Sequence, residues 1–188
     1  MDAATTTAVK IDPTRMVVLD HDFDATMSRV RERLTQLATS DKDKPITLVI
    51  SSFGGSVAGL QALMDRIHLL RQAGVKIHGY VEGYAMSAGL ILLQACDRRI
   101  MGPHAKLMAH GITMTFMGGY DIEAMEARLA EAKKDTAWAA RLFAARTGRD
   151  AAEWEAMMQS NDPVYYRADE ALELGLVDEV LGGLDADA

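Results

Sequence analysis

Short runs of β-branched and apolar residues alternate with longer segments of helical apolar spacing along most of this 188-residue chain. Strands that alternate with helices favour right-handed βαβ crossovers and a mostly parallel sheet, so we predict an α/β fold. The predicted strands are residues 16–19, 46–50, 75–81, 98–101, 106–110 and 176–181, and the predicted helices are residues 23–38, 57–71, 86–95, 121–146, 150–159 and 169–174.

The length suggests one domain, and 49% hydrophobic with 25% charged residues is typical of folded proteins. Residues 1–14 are polar and rich in Thr, which predicts a flexible N-terminal arm before a single domain over residues 15–188. Cys96 is the only cysteine, so the chain can form no internal disulfide and no cysteine-based zinc site. The sequence gives no clustered metal ligands, and we predict no metal or other cofactor.

Charge and hydropathy exclude several classes of partner. The chain carries 20 basic against 27 acidic residues, a net charge of −7, which argues against a nucleic-acid binder. Its N-terminus lacks the basic start and apolar core of a secretory signal. The longest nearly apolar run, residues 85–96, is far shorter than the ~20 residues that span a bilayer. We therefore expect a soluble cytoplasmic protein that binds neither nucleic acid nor membrane.

Adjacent glycines follow the predicted strand at residues 46–50, in the segment Ser52-Phe53-Gly54-Gly55-Ser56. Glycines allow positive φ and can turn backbone N–H groups outward, where paired donors stabilise a developing oxyanion. Taken alone, the segment is better explained as a sharp strand-to-helix turn.

A second turn, residues 83–89, surrounds Ser87 with small residues at the start of an apolar helix. A serine there lies beside unpaired N–H groups and the positive end of the helix dipole, which suits a nucleophile. Taken alone, Ser87 is better explained as an ordinary N-cap.

A nucleophilic serine needs a base, and His110 ends a predicted strand at the same edge of the sheet as Ser87. We therefore favour it as general base over the four other histidines, which are His21, His68, His78 and His104. Asp162, in the loop before Pro163, is the acid best placed by chain order to orient the imidazole, although it is equally explained as a turn residue.

Four segments together resemble the ClpP family of serine peptidases, the proteolytic subunits of ATP-dependent Clp proteases. They are ITLVISSFGGSV (46–57), GYAMSAG (83–89), LMAH (107–110) and ADEALELGLVDEV (168–180), and they occur in the family's order. The resemblance extends from about residue 16 to 181 and also includes Thr147-Gly148 after a long helix.

The resemblance implies a spiral of βαβ units of the ClpP/crotonase kind with a protruding handle over about residues 111–146. It implies Ser87 as nucleophile, His110 as base, and the N–H groups of Gly55 and Ala88 as the oxyanion hole. Counting from the family's motifs on either side puts its aspartate at Asn161 or at Pro163, and Asp162 lies between them.

The implied activity is endopeptidase cleavage of peptides or unfolded proteins inside a homo-oligomeric ring, a heptamer or tetradecamer. The chain lacks a Gly-x-x-x-x-Gly-Lys-Ser/Thr motif, so ATP hydrolysis would need a separate Clp ATPase. Three alternatives remain open: a phage capsid or scaffold maturation protease of the same fold, a crotonase-type acyl-CoA enzyme, and a non-catalytic ring subunit.

Overall fold

Strands and helices alternate along the chain in the computed structural model, which describes residues 11–114, 118–119, 121–160 and 162–182. The strands are β1 (Met16–Leu19), β2 (Ile46–Ser52), β3 (Ile77–Met86), β4 (Arg98–Met101), β5 (Lys106–Ala109), β6 (Val164–Tyr166) and β7 (Glu179–Val180). The helices are α1 (Ser28–Ser40), α2 (Val57–Gln72), α3 (Ala88–Gln94), α4 (Ile122–Thr147), α5 (Ala151–Gln159) and α6 (Ala168–Glu173).

These strands form one sheet in which β1, β2, β3, β4 and β7 lie side by side in that order, and β5 pairs with β3 and β6. The β5–β6 pair is antiparallel and the other pairs are parallel. The predicted α/β class is therefore confirmed. Of the predicted arm, residues 1–10 lie outside the described ranges, and Pro13–Arg15 already form a 3₁₀ helix capped by Asp12.

The centre of the sheet is apolar on both faces. In β2, Ile46, Leu48 and Ile50 on one face have no exposed surface and Val49 on the other is 1% exposed, which is the burial expected for the β-branched run in the sequence. Each such side chain contributes about 1.5–3 kcal/mol relative to exposure. This packing holds the carboxyl end of β2, and the glycine turn after it, in a fixed place.

Strand β3 changes its partner along its length. Residues 78–81 pair with β4, and Tyr84–Met86 pair with β5 after Gly83, which has a φ of 72°. The prediction that this strand ends at residue 81 was wrong, because glycine allows the strand to bend and continue. As a result, β3 and β5 end side by side.

Two helices begin later than predicted. The helix predicted from residue 23 starts at Ser28. Phe23 instead contacts the glycine turn, where its N–H donates to the Gly54 carbonyl at 2.7 Å. Met27 has a left-handed backbone, with a φ of 50°, and therefore cannot continue a helix. The helix predicted from residue 86 starts at Ala88, because Met86 is still paired in β3.

Helix α4 matches its prediction closely, beginning after the N-cap Asp121 and ending at Gly148 with a φ of 74°. Its first half carries exposed apolar residues: Ile122 is 75% exposed, Met125 44% and Leu129 47%. Its buried side chains, in the part of the helix that the structure describes, begin at Thr136. The predicted handle, residues 111–146, contains positions 115–117 and 120, which lie outside the described ranges.

An ion pair attaches the C-terminal segment to β4. Arg99 is 5% exposed, and its Nε (at 3.1 Å) and Nη2 donate to the Asp178 carboxylate. Its Nη1 donates to Gln94 Oε1 at 2.8 Å and to the Gly175 carbonyl at 2.7 Å. Burial raises the pKa of the Asp178 carboxyl, but the hydrogen bonds from Arg99 outweigh it and the net pKa lies below the usual value. Residues 176–178 turn against α6 and β4, so the strand predicted at 176–181 is limited to β7.

Candidate active site

The glycine turn after β2 is held open by specific contacts. Gly54 and Gly55 have φ angles of 114° and 128°, a region that other residues rarely adopt. The Gly54 N–H donates to Ser52 Oγ at 3.2 Å, and Phe23 packs so closely that a Cβ on Gly55 would lie 2.7 Å from its carbonyl oxygen. Within the described ranges no acceptor engages the N–H of Gly55, which therefore remains available to a ligand.

Ser87 lies in a strained bend between β3 and α3. Its φ is 53° and its ψ is −118°, and non-glycine residues held in such conformations cluster at active sites. Its N–H donates to the Met108 carbonyl of β5 at 2.8 Å, and its carbonyl accepts from Ile91 at 3.1 Å. The bend leaves the side chain partly exposed at the start of a helix, where Ala88 supplies the first helical N–H.

The glycine turn and Ser87 are in direct contact. A Cβ built on Gly54 would lie 2.8 Å from Ser87 Cβ and 3.2 Å from Ser87 Oγ. No side chain larger than hydrogen fits between them without movement. The two turns that the sequence identified separately therefore form one site.

Strand β5 brings His110 to the same site. Met86 pairs with Met108, so Ser87 and His110 each follow the end of one of two neighbouring parallel strands. Both line a cavity of about 240 Å³, together with Gly55 and Ala88. Within the described residues no hydrogen bond joins the side chains of Ser87 and His110; catalytic hydrogen bonds are often long before substrate binds.

The other histidines are outside this cavity. His21 is exposed, with Nδ1 2.9 Å from the Asp22 carbonyl oxygen, and His68 and His104 are also exposed. His78 is partly buried within β3, and burial lowers its pKa. Of the histidines, His110 alone lies beside Ser87.

Asp162 is exposed, and its N–H donates to Ser160 Oγ at 3.2 Å. It does not line the cavity of Ser87 and His110, although Ser160 and His110 share an adjoining one of about 330 Å³. Val164 lies opposite Ala109, and the same antiparallel register continued outward would put Asp162 opposite Gly111, next to His110. Asn161, the other position indicated by motif counting, lies outside the described residues.

Two features of the site were missed by sequence reasoning. Asp135 of α4 also lines the cavity, and burial raises the pKa of its carboxyl, with Glu131 adding to the effect. At the cavity wall, the 58% exposed Phe53 stacks on Tyr84 with ring centroids 4.2 Å apart. Apolar spacing predicts a helix around Asp135 but not which of its turns faces a cavity.

Among the residues that the structure describes, no group of three or more His, Cys, Asp or Glu side chains is arranged to hold a metal ion. Over the same ranges, no helix combines the length and apolar character needed to cross a membrane.

Comparison with known proteins agrees with the resemblance of the four motifs. A model of the family described as Clp protease matches residues 2–183. The chain is 27% identical over 177 residues to ATP-dependent Clp protease proteolytic subunit 1 of Protochlamydia amoebophila, covering 93% of this chain and 84% of that protein.

Two similar relatives have the same name. With the protein of Mycobacterium leprae the chain is 34% identical over 164 residues, covering 84% of this chain and 76% of the relative. With that of Rhodococcus jostii it is 30% identical over 160 residues, covering 84% and 70%. This chain therefore belongs to the Clp protease family, a family of peptidases.

Proposed function

We propose that this protein is a serine endopeptidase in which Ser87 is the nucleophile and His110 the general base. The observation that carries the proposal is the cavity shared by Ser87, His110, Gly55 and Ala88. The strained backbone of Ser87 supports it, because such strain persists only where the surrounding structure enforces it.

In the first half of the reaction, His110 accepts the hydroxyl proton as Ser87 Oγ bonds to the carbonyl carbon of the scissile peptide. The N–H groups of Gly55 and Ala88 stabilise the oxyanion, and loss of one such donor typically costs roughly 10²–10³ in turnover. The C–N bond then breaks, and the leaving amine takes the proton from His110.

In the second half, water attacks the acyl ester while His110 accepts one of its protons. Collapse of this second intermediate releases a carboxylate product, and the proton returns to Ser87 Oγ. Asp162 is the proposed third member, which orients the imidazole. Asp162 lies two residues before Val164, which pairs with Ala109, the neighbour of His110, and this proximity supports that role.

We also propose that the chain assembles into a homo-oligomeric ring and works with a separate Clp ATPase. Its relatives are named as proteolytic subunits of an ATP-dependent protease. The exposed apolar residues Ile122, Met125 and Leu129 of α4 fit an association surface, because such a stripe is costly to leave in water.

A fluorophosphonate probe, which reacts with activated serines, tests the catalytic proposal on the full chain. Wild type and a surface control, Ser28→Ala, should be labelled at equal rates, whereas Ser87→Ala should not be labelled. His110→Ala should react at least a hundred-fold more slowly, while His104→Ala should match wild type.

Asp162→Asn tests the role of Asp162 in orienting the imidazole separately from the roles of Ser87 and His110. This variant should be labelled more slowly than wild type although Ser87 and His110 are intact. Equal labelling of wild type and Ser87→Ala would refute the peptidase mechanism. A wild type that never reacts would favour the non-catalytic ring subunit. Thioester turnover that survives Ser87→Ala would favour the acyl-CoA enzyme.

A further inference from the structure

The cavity beside Ser87 has mostly apolar walls with one carboxylate among them. Its lining includes Val57, Ile91, Trp138 and Met158, and among the residues that the structure describes its ionisable side chains are His110 and Asp135. The cavity volume of about 240 Å³ is many times the roughly 10–15 Å³ that one water needs, which leaves room for a long side chain. It is therefore both large enough and close enough to hold a substrate side chain next to the scissile bond.

Asp135 is partly buried and, among the residues that the structure describes, forms no ion pair within 4 Å. Its helical neighbour Lys134 bonds Glu131 instead, at 3.0 Å. Burial, the larger cause, and the negative charge of Glu131 raise the pKa of the Asp135 carboxyl, and together they outweigh the lowering by Lys134.

Asp135 also borders a wider groove that contains Arg71 and Arg146. Both arginines have other partners: Arg71 Nε pairs with Asp97 at 3.1 Å, and Arg146 Nη2 donates to the Cys96 carbonyl at 3.0 Å. The carboxylate is therefore not compensated from that side either.

A partly buried carboxylate without a partner gains most from a cation that a ligand brings into the cavity. Lysine and arginine have an apolar stem and a charged tip, which matches apolar walls with one acid among them. A leucine side chain would contact the apolar walls but leave the charge of the carboxylate uncompensated. A glutamate side chain would bring a second negative charge beside it.

We propose that this cavity receives the substrate side chain on the acyl side of the scissile bond and that Asp135 selects a lysine or arginine there. The inference rests on the proposed function, since it needs Ser87 as the attacking group. The roles of Ser87 and His110 are the same for every substrate, and Asp135 changes only which peptide bond is presented to them.

The experiment uses fluorogenic peptide amides that differ only in the residue at the cleaved bond, which is Arg, Lys, Leu or Glu. The full-length assembled protein should cleave the Arg or Lys peptide with a kcat/KM at least ten-fold above that of the Leu peptide, and the Glu peptide slowest. Asp135→Asn, nearly isosteric, should lower kcat/KM for the basic peptides ten-fold or more while the Leu peptide changes less than three-fold.

Asp65→Asn is the matched control, because Asp65 borders the wider groove and not this cavity. It should leave the preference unchanged. Asp135→Ser provides a second uncharged variant in case Asp135→Asn fails to fold, and it should lose the same preference.

Labelling of Ser87 by the fluorophosphonate probe, measured on the same samples, separates two kinds of failure. If Ser87 is labelled and the ratio of basic to Leu peptide cleavage is the same in wild type and Asp135→Asn, the selection of basic residues is refuted and the peptidase mechanism stands. If Ser87 is not labelled in wild type, the peptidase mechanism itself is refuted.

Discussion

The contact between Gly54 and Ser87 predicts a substitution that damages the site more than the fold. A Cβ at Gly54 would lie 2.8 Å from Ser87 Cβ, whereas ordinary contacts begin at 3.4 Å, so one group must move by about 0.6 Å. Gly54→Ala also imposes a φ of 114° on alanine, a strain of about 1–3 kcal/mol. A misplacement of about 1 Å can cost 10²-fold in rate, so a shift of this size predicts a loss on the order of ten-fold.

Gly74→Ala is the matched control, because Gly74 has a φ of 90° but no atom within 4 Å of the added Cβ. The assay compares the second-order rate of fluorophosphonate labelling with the free energy of unfolding in urea. Both variants should lose about 1–3 kcal/mol of stability, and only Gly54→Ala should be labelled more slowly. Labelling of Gly54→Ala at the wild-type rate, in a folded protein, would show that Ser87 is not held against the glycine turn.

Two further predictions concern stability and reactivity. The pKa of Asp178 is lowered from its usual value of 3.8 in the folded protein. The contribution of this carboxylate to folding stability is therefore complete above pH 3.8 and is lost as the pH falls through the lower folded-state pKa. Asp178→Asn should therefore lower the free energy of unfolding by roughly 1–2 kcal/mol at pH 7, with allowance for partial exposure. Between pH 7 and pH 3 the variant should lose less of its unfolding free energy than wild type loses. Equal losses over this pH range, measured by urea unfolding, would contradict the prediction. Burial raises the pKa of the Cys96 thiol to about 12. A disulfide reagent at pH 8 should therefore react with Cys96 only when the protein is unfolded in urea. Full reaction with the native protein would contradict the burial of Cys96.

The sequence was sufficient to predict the α/β class and to bring Ser87 and His110 together. The class follows from the alternation of strands and helices, and the second prediction follows from a simple rule: segments that follow neighbouring parallel strands meet at one edge of the sheet. The glycine pair and Ser87 each indicated a turn, and the structure shows the two turns in contact. The catalytic roles of these residues stay predictions.

The errors arose where tertiary contacts override local pattern. Phe23 continues the apolar spacing of α1, but it packs on the glycine turn, and Asp24 caps the turn before the helix through the Met27 N–H. Gly83 suggests a strand end, yet it lets β3 bend from β4 to β5.

Asp135 lies beyond what spacing alone can predict. Only the packing of α4 against α3 and α5 determines which of its turns reaches the cavity, and α3 is distant from α4 in the chain. The prediction of Asp162 is limited by a different factor. Counting from the motifs on either side depends on the length of the loop between them, and a loop tolerates an inserted residue.

A crystal structure of the protein after phosphonylation tests the central claim most directly, because the adduct resembles the tetrahedral intermediate. We expect phosphorus bonded to Ser87 Oγ, its phosphoryl oxygen about 2.7–3.1 Å from the backbone nitrogens of Gly55 and Ala88, and the His110 imidazole beside Oγ. Phosphorus on a different residue, or a phosphoryl oxygen directed away from both amides, would contradict the account.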